Sequence, residues 1–174
     1  MRQTHKRHSH LHTTTGEKQW LNLSANFTLK ELTKSDTATR LGLDNTPDDE
    51  ALENLKTLCE MVLQPVRDHF GKSVTVNSGY RSPESNAAVG GSKTSDHCKG
   101  QAADIEIDGV ANPDLAQWIM DNLDYTQLIL EFYEQGKPSS GWVHVSYDPN
   151  NLKKQELTAV KVAGKTQYLQ GLQA

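Results

Sequence analysis

The chain is poor in the features that mark several classes of protein. It has two cysteines in 174 residues, too few for a disulfide framework. No stretch approaches the roughly 18 apolar residues of a membrane span, and the N-terminus lacks the apolar core of a signal peptide. Net charge is −4 and the body of the chain has no basic stripe, so we expect neither nucleic-acid nor membrane binding. The length predicts one domain with a core of its own.

The N-terminus differs from the rest of the chain in composition. Its first dozen residues combine histidines with basic residues and contain almost nothing apolar: Arg2, His5, Lys6, Arg7, His8, His10 and His12. Such a segment can bind metal adventitiously, but it cannot bury enough surface to fold. We therefore expect a flexible tail over residues 1–22.

The remainder predicts an α+β domain over residues 23–152. Thr28 and Glu31 have the spacing of a helix capping box, and Thr46 followed by Pro47 predicts the start of a longer helix. Helices are also expected from residues 82 and 112, and short strands near 74–76 and over 103–107, 127–133 and 141–147. We expect a small antiparallel sheet flanked by helices. Residues 153–174 alternate weakly and predict an edge strand or a tail.

The last two strands of that domain predict a shared polar face. In residues 127–133, Glu131 points opposite to the aliphatic side chains, and in residues 141–147 His144 does the same. A symmetric antiparallel hairpin would pair Glu131 with His144, with Cβ atoms about 4.5–5.5 Å apart. This register is an expectation only, because the loop between the strands is long enough to permit a slip.

Three residues of the sequence are candidate metal ligands. His97 and Asp104 lie seven residues apart in the run Ser95–Asp104, and His144 follows forty residues after Asp104. Three protein ligands leave a fourth position open for water, as in catalytic zinc sites. Imidazole and carboxylate suit Zn²⁺. We therefore predict one zinc ion per chain, held by these three residues in a cleft on the face of the sheet.

The same motif carries a family resemblance. Ser95-x-His97-x-x-Gly100-x-Ala102-x-Asp104, followed by Trp142-Val143-His144, resembles the zinc D-Ala-D-Ala carboxypeptidase family. That family includes D-Ala-D-Ala dipeptidases of vancomycin resistance and phage endolysin peptidases, and it is related to the hedgehog domain. Residues 78–86 are similar to its substrate-side loop, and the resemblance spans residues 27–147.

The resemblance implies roles for further residues. Several relatives place the general base three residues before the last zinc histidine, where this chain has Gly141. Hedgehog-like relatives place a Glu at the end of the preceding strand, which matches Glu131. Arg81 corresponds to an Arg that polarises the substrate carbonyl or binds its carboxylate, or it ties its loop to a nearby acid. Ser95 binds substrate, or it caps the turn around His97.

These observations predict a zinc metallopeptidase that cleaves peptidoglycan stem peptides or cross-links by metal-activated water. A phage-type endolysin fits the resemblance, acting as a monomer released from the host cytoplasm to the cell wall or carried by the virion. A cytoplasmic dipeptidase fits equally well. The alternative is a non-catalytic zinc-bearing module that binds the cell wall, which Gly141 favours.

Overall fold

A six-stranded sheet forms the centre of the computed structural model, which describes residues 21–174. Its order is β1-β2-β4-β3-β5-β6, and all neighbours are antiparallel except the parallel pair β3 and β5. The strands are β1 Val74–Ser78, β2 Ala102–Ile107, β3 Gln127–Glu131, β4 Trp142–Ser146, β5 Gln155–Val162 and β6 Lys165–Gln170. The predicted α+β class and the mainly antiparallel sheet are confirmed.

Six α-helices accompany the sheet in the described part of the chain. They are α1 Leu29–Thr33, α2 Asp36–Leu41, α3 Asp49–Leu58, α4 Gln64–Phe70, α5 Pro83–Ala88 and α6 Asn112–Asn122. A π-helical segment, Cys59–Leu63, joins α3 to α4, and a short 3₁₀ helix covers Asp96–Lys99. None of the helices in residues 21–174 is long and apolar enough to cross a membrane.

The helix starts show how local hydrogen bonds set boundaries. The capping box of α1 is present, because the Glu31 backbone N–H bonds to Thr28 and the Glu31 carboxylate accepts from Thr28. The predicted cap at Thr46 is wrong. Asp48 caps α3 instead, since its carboxylate accepts from the backbone N–H of Ala51 at 2.8 Å. An aspartate is at least as good an N-cap as a threonine, and here it lies two residues later.

One face of the sheet packs on the helices. Leu128, Leu130, Val143 and Val145 on β3 and β4 are fully buried, in one cluster with Ile119 of α6. Burying large aliphatic side chains contributes about 1.5–3 kcal/mol each. This face therefore anchors the sheet and leaves the alternate residues of the same strands to form the opposite face.

The hairpin of β3 and β4 has a different register from the predicted one. Glu131 pairs with Trp142, and Ile129 is the residue opposite His144. The strands separate earlier than expected because Phe132 and Gly141, at φ 55° and 66°, both leave the extended conformation. The expected direct pairing of Glu131 with His144 is therefore wrong, although both residues do lie on the face opposite the aliphatic core.

The C-terminal segment adds two strands to the sheet. β5 lies in parallel beside β3, with Leu157 opposite Ile129 and Ala159 opposite Glu131. β6 folds back antiparallel on β5 and forms the edge, with Tyr168 opposite Ala159. We call β5 and β6 the C-terminal hairpin. The histidine-rich residues at the N-terminus lie outside the described range, so the predicted tail stays a prediction.

Candidate active site and metal centre

Three side chains meet on the exposed face of the sheet. Asp104 in β2 and His144 in β4 are direct cross-strand partners. His97 comes from the 3₁₀ helix that precedes β2, and all three residues are less than a tenth exposed. Their ligand atoms lie within 4.8 Å of one another, so the group could hold a metal ion. The structure thus brings together the three residues that the sequence predicted as ligands.

The carboxylate of Asp104 is the centre of the group. Its Oδ1 lies 2.9 Å from Nδ1 of His144 and 3.3 Å from Nε2 of His97. Zinc–nitrogen and zinc–oxygen bonds are about 2.0–2.2 Å long, so tetrahedral ligand atoms are expected to lie about 3.3–3.5 Å apart. The observed separations therefore fit one small tetrahedral ion after only minor adjustment.

A backbone hydrogen bond orients the ring of His97. Its Nδ1–H donates to the backbone carbonyl of Gly79 at 2.7 Å, and its Nε2 lies on the side of Asp104, 3.3 Å from Oδ1. Such an outer hydrogen bond orients a histidine ligand and raises its basicity. Gly79 itself has no room for a side chain, because a Cβ there would lie 2.3 Å from the carbonyl oxygen of Leu32.

The turn after His97 also requires glycine. Gly100 adopts φ 71°, and a Cβ at this position would lie 2.3 Å from the carbonyl oxygen of Ala51 in α3. Ser95 caps the start of the same turn, since its hydroxyl accepts from the backbone N–H of His97 at 3.3 Å. The glycine in the sequence motif therefore serves the backbone path between His97 and Asp104.

Arg81 lies against the other side of Asp104. Its Nη2 donates to Oδ2 of Asp104 at 3.0 Å, and its Nε donates to the hydroxyl of Ser78 at 2.8 Å. Oδ1 is thus left to the two histidines while Oδ2 is held by the guanidinium. Of the two uses of Arg81 that the sequence left open, the contact with a nearby acid is present in the structure.

The electrostatics of the group favour charge on its members. Burial alone would raise the pKa of Asp104, but the adjacent His97 and His144 outweigh it and hold that pKa below its usual value. Burial would lower the pKa of His144, but its hydrogen bond to Asp104 and the charge of that carboxylate raise it overall. A carboxylate that stays ionised while buried is a ready anionic ligand for a cation.

Glu131 lies diagonally across from His144 on the same face. Since it pairs with Trp142, it is two residues along from Ile129, the residue opposite His144. Diagonal neighbours of this kind have Cβ atoms about 7–8 Å apart. Burial, and then the negative charge of Asp104, raise the pKa of Glu131 above its ordinary value.

A cleft of about 660 Å³ contains the whole group. The predicted residues Arg81, Ser95 and Glu131 line it together with the three candidate ligands. The apolar floor and the far side of the cleft include Ile129, Leu157, Lys153 and Tyr168. None of these four residues was predicted from the sequence as part of the site. The weak alternation of residues 153–174 carried no chemical signal, and the parallel pairing of β5 with β3 brings that segment to the cleft.

Comparison with known proteins agrees with this geometry. The model of the Peptidase M15 family matches residues 25–146, which is most of the chain. The chain therefore belongs to the M15 family, the zinc D-Ala-D-Ala carboxypeptidase family of metallopeptidases that act on peptidoglycan. No curated protein matches the chain. The family is zinc-dependent, and the His97, Asp104 and His144 group is where this chain could bind the ion.

Proposed function

We propose that this protein hydrolyses the stem peptides or peptide cross-links of peptidoglycan, with zinc held by His97, Asp104 and His144. The observation that carries the proposal is the buried His-Asp-His group at the base of a cleft that also contains Glu131. Bound zinc would supply Lewis acidity and lower the pKa of a bound water to about 7. The hydrogen bond that orients His97 and the anionic Asp104 suit that ion.

We assign the general base to Glu131. The diagonal spacing from His144 leaves room for a water molecule between the carboxylate and the ligand group. Glu131 would take a proton from that water and pass it to the leaving amine. Its raised pKa brings it nearer to the neutral range in which a base of this kind works well.

The backbone supports this assignment against the position used in several relatives. At Gly141 a Cβ would lie 1.8 Å from the carbonyl oxygen of Glu131, and φ is 66°. An acidic side chain at this position would therefore have no room without a change in the hairpin. The absence of an acid at 141 and the presence of one at 131 are consistent with a base that comes from the preceding strand.

Arg81 and Ser95 would act on the substrate side. Arg81 has one guanidinium nitrogen, Nη1, outside its contacts with Asp104 and Ser78, and the residue lines the cleft. A cation there can stabilise the negative charge that develops on the carbonyl oxygen during peptide hydrolysis. The Ser95 hydroxyl, which already accepts from His97 N–H, could donate its own proton to a substrate carbonyl.

The family resemblance supports a proposal about the biological setting. We propose a phage-type lysin that acts as a monomer with one zinc, and that reaches the cell wall on release from the host cytoplasm or with the virion. D-Ala-D-Ala carboxypeptidase-like cleavage is the reaction suggested by the resemblance to that family.

The test combines zinc content with hydrolysis of purified peptidoglycan, using protein that lacks residues 1–20 so that the histidine-rich segment cannot bind metal. Wild-type protein should contain one zinc and cleave. Glu131→Gln should retain zinc while kcat falls by about 10²–10⁴-fold, the usual contribution of a general base. Asp148→Asn, an acid on the loop after β4, serves as the matched control and should cleave at the wild-type rate.

A second function remains a candidate because of Gly141. A zinc-bearing module that binds the wall without cleaving it would not need an acid beside the last histidine. It predicts a wild-type protein that binds zinc and wall fragments yet releases no peptide product, with Glu131→Gln indistinguishable from wild type. That outcome would overturn the peptidase.

A further inference from the structure

The far side of the cleft is built by the C-terminal hairpin. This hairpin begins after residue 146, where the match to the family ends. Nevertheless Leu157 and Tyr168 of the hairpin, and Lys153 two residues before it, line the same cleft as the candidate metal ligands. The segment therefore lies outside the residues that the family match covers, yet it borders the cleft that contains the candidate ligands.

Strand register places the hairpin side chains in rows with the catalytic ones. Across the sheet, one row runs Trp142, Glu131, Ala159 and Tyr168. The neighbouring row runs Asp104, His144, Ile129 and Leu157. Side chains in one row point to the same face, so Tyr168 stands on the cleft face at the level of Glu131.

Ala159 lies between Glu131 and Tyr168 and belongs to the buried apolar layer beneath them. Two strand spacings separate these residues, about 10 Å, and the methyl group between them is fully buried. Ile129 and Leu157 continue this low apolar floor beside the alanine, and they are only 5% and 7% exposed. Ile129 and Leu157 therefore give the cleft an apolar floor, while Glu131 and Tyr168 lie on either side of the buried alanine.

Tyr168 is available to a ligand. Its side chain is 56% exposed, and its hydroxyl has no hydrogen bond to another residue within 21–174. Partial burial, and then the charge of Glu131, raise the pKa of its phenol, so the two groups lie within electrostatic reach of each other. An exposed aromatic ring at the side of a cleft is a common contact for a peptide, since it offers a large contact area at low cost in side-chain entropy.

Lys153 is a cation on the same side of the cleft. Arg81, the other Lys or Arg in the cleft lining, is held by Asp104 and Ser78. Lys153 has no ion-pair partner among the described residues, whereas the adjacent Lys154 pairs with Asp124 at 3.0 Å. An exposed ammonium beside a substrate cleft can pair with a substrate carboxylate.

We propose that the C-terminal hairpin is the substrate-binding wall of this peptidase, where Tyr168 packs on the peptide beside the scissile bond and Lys153 pairs with a substrate carboxylate. The inference rests on the proposed function and adds to it a preference for an acidic peptide. Peptidoglycan stem peptides contain such carboxylates. The hairpin residues bind the substrate and take no part in the proton transfer.

The experiment measures kcat and KM on a soluble stem peptide whose carboxylates are free, and on the same peptide amidated. Tyr168→Ala should raise KM about tenfold with little change in kcat, since a contact of equal strength before and during the reaction affects only KM. Tyr168→Phe separates the ring from the hydroxyl and should retain most of the affinity. Gln167→Ala, on the opposite face of the same strand, is the control and should match wild type.

Lys153→Gln should raise KM about two- to fivefold on the free-acid peptide, the range of an exposed ion pair, and should have no effect on the amidated one. Lys154→Gln, which loses the pair with Asp124 and the contact of its ammonium with the Tyr125 ring, is its control. Unchanged KM in both Tyr168→Ala and Lys153→Gln would overturn the binding wall while leaving the peptidase intact. So would equal losses in the Gln167 and Lys154 controls.

A binding measurement separates failure of the wall from failure of the proposed function. Zinc-loaded protein carrying Glu131→Gln is titrated with the free-acid peptide. The same titration is done with two double variants, which carry Tyr168→Ala or Lys153→Gln in addition to Glu131→Gln. Weaker binding in the double variants supports the wall even if the wild-type protein does not cleave this peptide. Equal binding in all three proteins overturns it.

Discussion

On one side of the cleft, His97, Asp104 and His144 are each less than a tenth exposed and held by hydrogen bonds, His144 to Asp104 and His97 to the Gly79 carbonyl, whereas Tyr168 on the other side is 56% exposed. The ligand side comes from β2 and β4 in the middle of the sheet, and the hairpin side includes its edge strand. Buried, mutually bonded groups hold one geometry, which a metal requires. Exposed side chains at an edge can adapt to a substrate.

The largest effect should come from the ligand side. Asp104→Asn keeps the volume of the side chain but removes the charge that the two histidines and Arg81 contact. Because losing even an outer partner of a metal ligand weakens binding about 10–100-fold, we expect zinc affinity to fall by more than that, with loss of cleavage. Zinc titration by competition with a chelator measures this.

The control for that prediction is Glu106→Gln, in the same strand and two residues further along. Glu106 bonds to Asn77 and is not part of the ligand group. The Glu106→Gln variant should bind zinc with wild-type affinity, and so should Tyr168→Ala on the hairpin side. If Asp104→Asn retained wild-type zinc affinity, the contrast between the two sides of the cleft would be lost.

An intermediate effect is expected where two glycines with similar backbones lie in different surroundings. Gly141, between β3 and β4, and Gly164, in the turn of the C-terminal hairpin, have φ of 66° and 77°. A Cβ at Gly141 would lie 1.8 Å from the Glu131 carbonyl oxygen, but at Gly164 it would meet nothing within 4 Å. Gly164→Ala should therefore cost only the left-handed conformation, about 1–2 kcal/mol.

Gly141→Ala should cost clearly more, because the strain of φ and the clash add, and it should also displace Glu131 and reduce kcat. Chemical denaturation of both variants measures the difference in the free energy of unfolding. Equal decreases in the free energy of unfolding at the two positions would show that the β3–β4 hairpin adjusts at little cost and that position 141 can accommodate a side chain.

The smallest effect concerns pH and the metal-free protein. The pKa of Asp104 is lowered in the folded state, so its contribution to stability is present above the unfolded pKa near 3.9 and is lost as pH falls. The pKa of His144 is raised, so its contribution is complete below about 6.5 and is lost as pH rises through the folded value.

The metal-free protein should therefore be most stable between about pH 4 and 6.5. Zinc should add stability as pH rises, because the ligands must be deprotonated to bind it. Thermal unfolding across pH, with and without zinc, tests both statements. In Asp104→Asn the metal-free profile should flatten at both limits, since the His144 shift depends on the same carboxylate. Tyr168→Ala should leave it unchanged.

Much of the site could be predicted from sequence because its signals are local. His97 and Asp104 lie in one short run, and the alternation in residues 127–133 and 141–147 put Glu131 and His144 on the correct face. The register could not be predicted in the same way. Two left-handed residues, Phe132 and Gly141, end the strands, and a non-glycine at positive φ gives no sequence signal.

The C-terminal hairpin shows the opposite case. Its alternation over Leu157, Val160 and Val162 is weak, and the sequence alone left an edge strand or a tail open. β5 is held by parallel pairing with β3, a contact between segments about 28 residues apart. Pairings over such separations depend on the whole sheet and are not encoded in a local pattern.

The sequence by itself determined which donor atoms this protein offers and which chemistry suits them, because residue type fixes acidity, charge and affinity for a metal. It also determined which strand residues share a face, because side chains alternate with a period of two. Only the tertiary structure decided that Glu131 stands diagonal to His144 and that the C-terminal hairpin forms the far side of the cleft. Those arrangements depend on strand order and register, which arise from packing between distant segments.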